Sequence, residues 1–240
     1  MHLAAPRCKV QMQRFASPAL QANALAQAVA EQLRVALIQQ STASLAVSGG
    51  RSPIAFFQAL CTQTLAWERV YVTLVDERCV PADHPDRNAQ LVREHLLQQA
   101  AAQATLIDYL QGIEDPGALT ASALVQQALG QLQALPWPLD VAVLGMGEDG
   151  HTASWFADSA GLEAALNSPA PLAWVQPAHA PHLRLSLTLN ALRSCRHLHL
   201  AIAGEAKQAV FAAAHAGQTP DKPIQTLLTH VPSLQVWVAH

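Results

Sequence analysis

The sequence predicts an α/β protein built on a mostly parallel sheet with helices on both faces. Three observations lead to this fold class. Short β-branched or apolar segments alternate along the chain with longer helical stretches, which is the pattern of βαβ units. One segment, Val70–Val75, is continuously apolar or β-branched, as expected of a strand buried on both faces. Several segments run straight into a glycine-rich loop, which marks a strand end.

The first half of the chain supplies two strands and three helices. Ser17 and Pro18 provide a helix cap and a first helical residue, and an apolar residue recurs every four positions from Leu25. Pro53 opens the second helical stretch. In order, the predicted elements are a helix from Pro18, strand Leu45–Val47, helix Ala55–Leu60, strand Val70–Val75 and a helix from Asn88 to Gln99.

The second half continues the alternation. Val141–Leu144 is the best candidate for a central strand, because it is wholly apolar and a glycine loop follows it. The predicted elements are strand Thr105–Ile107, helical stretch Pro116–Leu135, strand Val141–Leu144, a short helix from Thr152, strand Trp174-Val175, the alternating segment Arg184–Leu189, strand Leu198–Ala203, helix Glu205–Ala214 and strand Leu234–Val238. No linker or repeat interrupts them, so we expect one domain over residues 1–240.

Charge is scarce in this protein. Its 14 basic and 17 acidic residues are 13% of 240, against about 25% in an average soluble domain. No apolar run approaches the ~20 residues that cross a bilayer, and 51% hydrophobic residues argue against disorder, so we expect a folded, soluble protein. The net charge of −3 and the lack of a basic block exclude a broad nucleic-acid-binding surface. An anionic ligand must therefore be held locally.

The cysteines and the N-terminus indicate a reducing cytoplasm. The cysteines show no CxxC spacing, and the first residues lack the charged region, apolar core and cleavage site of a signal peptide. We expect free buried thiols and no metal site at Cys8, Cys61, Cys79 and Cys195. The other histidines show no metal-ligand pattern and are interpreted as surface or strand residues; they include His179, His182, His197 and His199.

Four loops follow predicted strands and are the candidate ligand-binding segments. In open α/β sheets ligands collect at the carboxyl ends of the strands, where glycine turns expose backbone N–H groups and helix N-termini. The loops are Ser48–Ser52, Asp76–Arg78, Gly145–His151 and Gly204–Lys207.

The loop Gly145–His151 has the GxGxxG spacing of a dinucleotide-binding turn, but the residues around it favour another role. A dinucleotide site needs an acidic residue at the end of the next strand, and Glu163 lies in an Ala/Leu stretch with no strand before it. Glu148 and Asp149 would also repel a pyrophosphate. We interpret His151 as a general base whose tautomer a neighbouring carboxylate fixes; the alternative is that His151 caps the next helix.

The other loops predict a site for a small phosphorylated substrate. Small residues, hydroxyls and a helix N-terminus in Ser48-Gly49-Gly50-Arg51-Ser52 form a compact phosphate cradle, although an ordinary βα turn is the simpler interpretation. Lys207 is positioned to add a positive charge to the same anion. No GxxxxGK[ST] or GxSxG motif is present, which disfavours an NTPase loop and a hydrolase nucleophile elbow.

Taken in order, these motifs resemble the 6-phosphogluconolactonase family. The resemblance covers roughly residues 45 to 228 and is carried by Ser48-Gly49-Gly50-Arg51-Ser52-Pro53, by Val75-Asp76-Glu77-Arg78-Cys79-Val80-Pro81 with His84-Pro85-Asp86 and Asn88, and by Leu144-Gly145-Met146-Gly147-Glu148-Asp149-Gly150-His151-Thr152-Ala153-Ser154, followed by Arg184-Leu185-Ser186-Leu187-Thr188 and Gly204–Lys207. It implies a Rossmann-like three-layer α/β/α sandwich, shared with glucosamine-6-phosphate deaminases and ribose-5-phosphate isomerases.

The resemblance also implies hydrolysis of 6-phosphoglucono-1,5-lactone without a cofactor. We expect His151 to activate water, Asp149 to orient its ring, and Asp76 to belong to the catalytic group. The residues expected to bind substrate are Ser48, Gly49, Gly50, Arg51, Arg78, Arg184 and Lys207. Of these, Arg78 is assigned to the lactone oxygens and the others to the phosphate. We expect a monomer or weak homodimer in the cytoplasm that binds neither nucleic acid nor membrane.

Some residues depart from the family pattern. Arg87 stands where the family usually has Ser, and we expect it to face water; Trp155 and Ala157 replace a commoner Leu and Pro. Three alternative functions remain: a deaminase-like sugar-phosphate isomerase, a sugar-phosphate-binding module without catalysis, and an NAD-dependent dehydrogenase. The deaminase is disfavoured because Thr152–Phe156 lacks the Asn-Glu pair that usually follows the histidine in that branch.

Overall fold

A computed structural model of the protein describes residues 10–240 and contains two sheets. The larger sheet has seven strands in the order β1-β10-β9-β6-β2-β3-β5, and each pair of adjacent strands in it is parallel. The smaller sheet is antiparallel, in the order β4-β8-β7. The strands are β1 Gln11–Phe15, β2 Ala43–Val47, β3 Val70–Leu74, β4 Asp76–Arg78, β5 Thr105–Leu106, β6 Val141–Leu144, β7 Leu172–Val175, β8 Arg184–Leu187, β9 His197–Ala203 and β10 Gln235–Ala239.

Helices connect the strands, and the predicted α/β class with a mostly parallel sheet is confirmed. The helices are α1 Pro18–Gln39, α2 Ile54–Leu60, α3 Asn88–His95, α4 Ala121–Leu132, α5 Leu162–Asn167, α6 Leu189–Ser194, α7 Glu205–His215 and α8 Pro223–His230. None of the helices in residues 10–240 is both long and apolar enough to span a lipid bilayer.

Helix α1 begins and packs as its sequence predicts. The Ser17 hydroxyl accepts the N–H of Leu20 at 3.3 Å, and Pro18 occupies the first turn, where no backbone donor is needed. The apolar repeat that starts at Leu25 is buried in the core, and α1 packs on α2 and on the central strands.

The order of strands reverses between β2 and β6. The chain runs from β2 outward through β3 to β5, whereas from β6 it runs outward on the other side through β9 to β10. In a parallel sheet such a reversal opens a crevice at the carboxyl ends of the two strands. Ser48 follows β2 and Gly145 follows β6, and the Gly145 N–H donates to the Ser48 hydroxyl at 3.2 Å. Two of the predicted loops therefore meet at this crevice.

The smaller sheet adds a second wall to the same end of the molecule. Strand β4 follows β3 after one residue and pairs with β8, which places Arg78 opposite Arg184. We predicted Asp76–Arg78 as a loop; it is a short strand because Val75, Cys79 and β4 itself all hydrogen-bond to the β8 region.

The short helix predicted from Thr152 is wrong. Thr152 forms an isolated bridge with Trp155, and the next helix begins only at Leu162. The side chains in this segment bind distant strands instead: the Ser154 hydroxyl donates to the Asp76 carboxylate at 2.6 Å, and the Trp155 indole donates to the Leu187 carbonyl at 3.0 Å. The Trp155 N–H donates to the Thr152 carbonyl at 3.0 Å, so the segment forms a tight turn that these side-chain contacts hold against the smaller sheet.

The ends of the larger sheet also differ from the expectation. The N-terminal segment predicted only as a polar start forms edge strand β1, whose side chains are mostly exposed. An edge strand with two solvated faces shows no apolar pattern, so the period-2 signal is missing. Helices α5, α6 and α8 were not predicted, and α3 ends at His95 rather than near Gln99.

Arg87 does not face water, contrary to the expectation. Its side chain is 1% exposed, and its guanidinium lies 3.1 Å from the Glu77 carboxylate and 2.7 Å from the Asp108 carboxylate. The Glu77 carboxylate in turn accepts the N–H groups of Asn88 and Ala89, each at 2.8 Å, which caps α3. Arg87 is therefore part of the buried scaffold that fixes the start of α3.

Three of the four cysteines lie in the described part of the chain. Cys61 and Cys195 are buried free thiols, and Cys79 is a partly buried one. Burial raises the pKa of the thiols of Cys79 and Cys195 to about 12, so both stay protonated and unreactive at neutral pH. Cys8 lies outside the described residues.

Candidate active site

A cavity of about 380 Å³ occupies the crevice beyond β2 and β6. It receives residues from all four predicted loops, from β8 and from the start of α3. The predicted site residues that line it are Ser48, Gly49, Gly50, Asp76, Arg78, His151, Arg184 and Lys207. Segments far apart in the sequence thus converge on one space large enough for a small ligand.

Two predicted site residues do not line this cavity. Arg51 is exposed on the loop after β2. Asp149 instead lines a second space of about 410 Å³, which it shares with His151 and Phe156. His151 lies between the two spaces, so Asp149 reaches the main cavity only through the histidine ring.

The histidine and this carboxylate form a close pair. His151 Nδ1 lies 2.6 Å from Asp149 Oδ1, and the backbone N–H of His151 donates to the same oxygen at 3.2 Å. In the neutral ring this contact keeps the proton on Nδ1, which leaves the lone pair of Nε2 free to accept a proton. Phe156 stacks on the imidazole with ring centroids 4.1 Å apart. The orientation of the imidazole is therefore fixed by Asp149 at its edge and by Phe156 on its face.

The pKa of Asp149 lies below its usual range. Partial burial acts to raise this pKa, but the charge of His151 and the hydrogen bonds from its backbone and ring lower it further than burial raises it. Asp149 is therefore ionised at neutral pH, as a group that holds a histidine tautomer must be.

Gly147 explains why this loop is rich in glycine. A Cβ atom at this position would lie 2.3 Å from the His151 ring and 2.4 Å from Asp149 Oδ1. The Gly147 N–H also donates to the His151 carbonyl at 2.9 Å, which closes the loop. The glycine spacing that resembles a dinucleotide motif here makes room for a histidine–carboxylate pair.

Three cationic side chains face the cavity. Arg78 and Arg184 are adjacent across the smaller sheet, and the Nε atom of each is buried without a hydrogen-bond partner among residues 10–240. Burial lowers the pKa of Arg184, while the nearby charge of Asp76 acts to raise it. Lys207, in the first turn of α7, forms no ion pair within the described chain. Together these donors have the charge and free hydrogen-bonding capacity that binding an anion requires.

Asp76 is the buried carboxylate of the cavity wall. It accepts the Ser154 hydroxyl at 2.6 Å, and its backbone carbonyl accepts the amide of Asn88 at 2.8 Å. A carboxylate this deeply placed is held by hydrogen bonds and offsets the charge of the neighbouring arginines. Asp76 thus fixes the shape of the wall on which Arg184 is displayed.

Several contributing residues were not predicted as part of the site. Asn88 lines the cavity and lies so close to the loop after β2 that a Cβ on Gly49 would come within 1.8 Å of its side-chain oxygen. Phe156 contacts His151 and also lies under Arg184, whose guanidinium carbon is 5.0 Å from the ring centroid. Asn88 and Ser154 carried a signal, since both stand within the quoted motifs. Phe156 carried none, because its partners are set by the fold.

The sequence matches a family model along nearly its whole length. The model described as glucosamine-6-phosphate isomerases/6-phosphogluconolactonase covers residues 16–237. The 6-phosphogluconolactonase of Neisseria meningitidis serogroup A is 45% identical over 211 residues, which are 87% of this chain and 90% of the relative. The 6-phosphogluconolactonase of Pseudomonas aeruginosa is 46% identical over 210 residues, 86% of each chain.

Solved structures agree with these matches. A 6-phosphogluconolactonase from Shewanella baltica OS155 superposes with a TM-score of 0.91 at 37% identity and covers 98% of this chain and 99% of its own. A monomeric glucosamine-6-phosphate deaminase superposes with a TM-score of 0.70 at 17% identity, which shows a shared fold alone. With a family model over residues 16–237 and relatives 45% and 46% identical, the chain belongs to the glucosamine-6-phosphate isomerase/6-phosphogluconolactonase family.

Proposed function

We propose that this protein hydrolyses 6-phosphoglucono-1,5-lactone to 6-phosphogluconate. The observation that carries the proposal is the His151–Asp149 pair, 2.6 Å apart, opening onto a cavity lined by Arg78, Arg184 and Lys207. A base at one side and an anion-binding surface at the other fit a phosphorylated ester-like substrate. The two relatives described above are named 6-phosphogluconolactonases, and the similarity covers most of their length. This supports the lactonase function over the three alternatives.

In the proposed reaction, His151 Nε2 removes a proton from water as the water oxygen attacks the lactone carbonyl carbon. The carbonyl electrons move onto oxygen, and Arg78 offers donors to this oxyanion. When the tetrahedral intermediate collapses, the bond between the carbonyl carbon and the ring oxygen breaks. The oxygen of the former lactone ring takes the proton from the His151 imidazolium. The imidazole is then neutral again, and the product is the open-chain acid. Asp149 stabilises the imidazolium that forms between these two steps.

We assign the phosphate group to the Ser48–Ser52 loop, Lys207 and Arg184. The loop lies at the crevice, and Lys207 projects from the first turn of an eleven-residue helix whose backbone N–H groups point the same way. Arg51, although exposed and outside the cavity, stays a predicted phosphate contact of this loop. The cytoplasmic location, the monomeric or weakly dimeric state and the lack of a cofactor also stay predictions.

Purified protein tests this proposal with freshly generated lactone in a weakly nucleophilic buffer. We expect product to form faster than the spontaneous reaction, at a rate proportional to protein concentration. Ammonia release from glucosamine 6-phosphate provides the matched assay for the rival activity. A lactone decay rate that is independent of added protein contradicts the proposal, and ammonia release would assign the deaminase instead.

Replacing Lys207 with methionine is expected to raise KM by about 10- to 150-fold with little change in kcat. The factor corresponds to the roughly 1.5–3 kcal/mol of a hydrogen bond to a charged group. The phosphate does not react, so it is held equally in the ground and transition states, and its loss affects KM. Arg193→Met is the matched control: it removes an exposed cation that, among residues 10–240, donates to Asn190 and forms no ion pair, and it should leave both constants unchanged. An unchanged KM for Lys207→Met would remove Lys207 from the phosphate site.

A further inference from the structure

Three side chains from two loops meet beside the cavity in the pattern of a metal site. His84 and Asp86 lie in the segment between β4 and α3, and His182 lies two residues before β8. One potential ligand atom from each lies within 4.8 Å of the other two. None of the three lines the 380 Å³ cavity, so the cluster is separate from the proposed catalytic site.

The cluster is already ordered by its own contacts. His182 Nε2 lies 3.1 Å from Asp86 Oδ2, and the Asp86 N–H donates to His84 Nδ1 at 3.1 Å. The two imidazole rings pack edge to face with centroids 5.1 Å apart. His182 also has a φ of +70°, a left-handed conformation that is uncommon for a residue other than glycine and is enriched at functional positions. The fold therefore holds the three side chains together at a conformational cost.

We propose that His84, Asp86 and His182 bind one divalent transition-metal ion, and that Zn²⁺ fits the site best. Two imidazoles and one carboxylate form a three-ligand set that leaves a fourth position for water. Mg²⁺ and Ca²⁺ prefer sites made of oxygen ligands, so two nitrogen donors select against them.

The position of the cluster gives the ion a structural role. Arg78 Nη1 donates to the Asp86 carbonyl at 2.7 Å, and Arg184 follows His182 by two residues. A bound ion would therefore tie together the two segments that carry the cavity arginines. The positive charge of Arg78 opposes a cation here, so we expect reversible binding rather than the tight binding of a closed four-ligand site.

Metal titration of chelator-treated protein tests this site without any activity assay. Co²⁺ serves as the spectroscopic probe, because its visible absorption reports coordination by nitrogen and oxygen ligands, and Zn²⁺ serves in a thermal-unfolding assay. We expect about one ion per chain, a rise in Tm with Zn²⁺ but not with Mg²⁺, and displacement of Co²⁺ by Zn²⁺.

His182→Ala and His84→Ala should each lose the Co²⁺ absorption and the Zn²⁺-dependent rise in Tm. The matched control is His179→Ala, because His179 pairs with Asp158 and has no third metal-binding side chain close by among residues 10–240. Circular dichroism shows whether each variant is folded. If a variant does not fold, the Co²⁺ titration of the wild-type protein alone tests the metal site. Wild-type protein without Co²⁺ absorption, or a His182→Ala variant that keeps it, overturns the proposal. Failure of the lactonase assay would leave this binding result unaffected.

Discussion

Replacing His151 with alanine is expected to lower kcat for lactone hydrolysis by roughly 10²- to 10⁴-fold, the usual contribution of a general base. The expected loss follows from the geometry, since His151 is the residue of the His–Asp pair that reaches the main cavity. KM should change less, because the phosphate-binding residues are untouched. Purified variant and wild type are compared on fresh lactone after the spontaneous rate has been subtracted.

The histidine at position 179 supplies a matched control for this experiment. His179 also forms a pair with an aspartate, Asp158, on the rim of the second space, but it does not line the main cavity. His179→Ala should therefore retain the wild-type kcat. A His151→Ala variant with a kcat close to that of wild type, or equal losses in both variants, would remove His151 from the role of base.

Replacing Arg87 with methionine is expected to lower the free energy of unfolding by about 3–5 kcal/mol, as for other broken buried ion pairs. Methionine keeps most of the side-chain volume but leaves the carboxylates of Glu77 and Asp108 without their buried cation. It also removes the donor to the Val80 carbonyl, at 2.7 Å in the structure. Urea unfolding followed by circular dichroism measures the difference.

Arg93→Met is the control for the Arg87 experiment. Arg93 also binds Asp108, at 3.0 Å, but its side chain is 50% exposed. Water screens the half-exposed guanidinium of Arg93, and Asp108 keeps Arg87 as its buried partner in this variant, so it should lose no more than about 1 kcal/mol. Equal losses for Arg87→Met and Arg93→Met would show that the buried network does not hold the start of α3.

The deficit of Arg87→Met should also depend on pH. Burial raises the pKa of Glu77 to about 7, while the charge of Arg87 acts to lower it. Without Arg87 this pKa rises further, so folded protein binds the Glu77 proton more tightly than unfolded protein does. Stability from such a group is present at low pH and lost as pH rises through the folded pKa. The deficit relative to wild type should thus be larger at about pH 8.5 than at about pH 5.5.

Elements with strong local patterns could be predicted from the sequence. Helix α1 has a cap, a proline at its first turn and a regular apolar repeat, and each of these acts within a few residues. Strand β6 and the Leu45–Val47 part of β2 are continuously apolar because they are buried on both faces. Edge strand β1 was missed, and the turn after His151 was wrongly predicted as a helix, because distant partners hold both segments in place.

The same division holds for the candidate site. Gly147, Asp149 and His151 lie within five residues, so their loop carries its own geometry, and the sequence was sufficient to propose a histidine–carboxylate pair there. Local spacing together with the family resemblance determined the fold class, the four loops and the proposed reaction.

Only the tertiary structure decided which side chains share a surface. It set Arg78 opposite Arg184, buried Arg87 between two carboxylates, and brought His182 to the pair at His84 and Asp86. These contacts join segments 10 to 106 positions apart, and they depend on strand register and on which residues the core excludes from water. The sequence does not show whether a charged side chain faces solvent or pairs with a buried partner. Burial in the folded protein decides between these two roles.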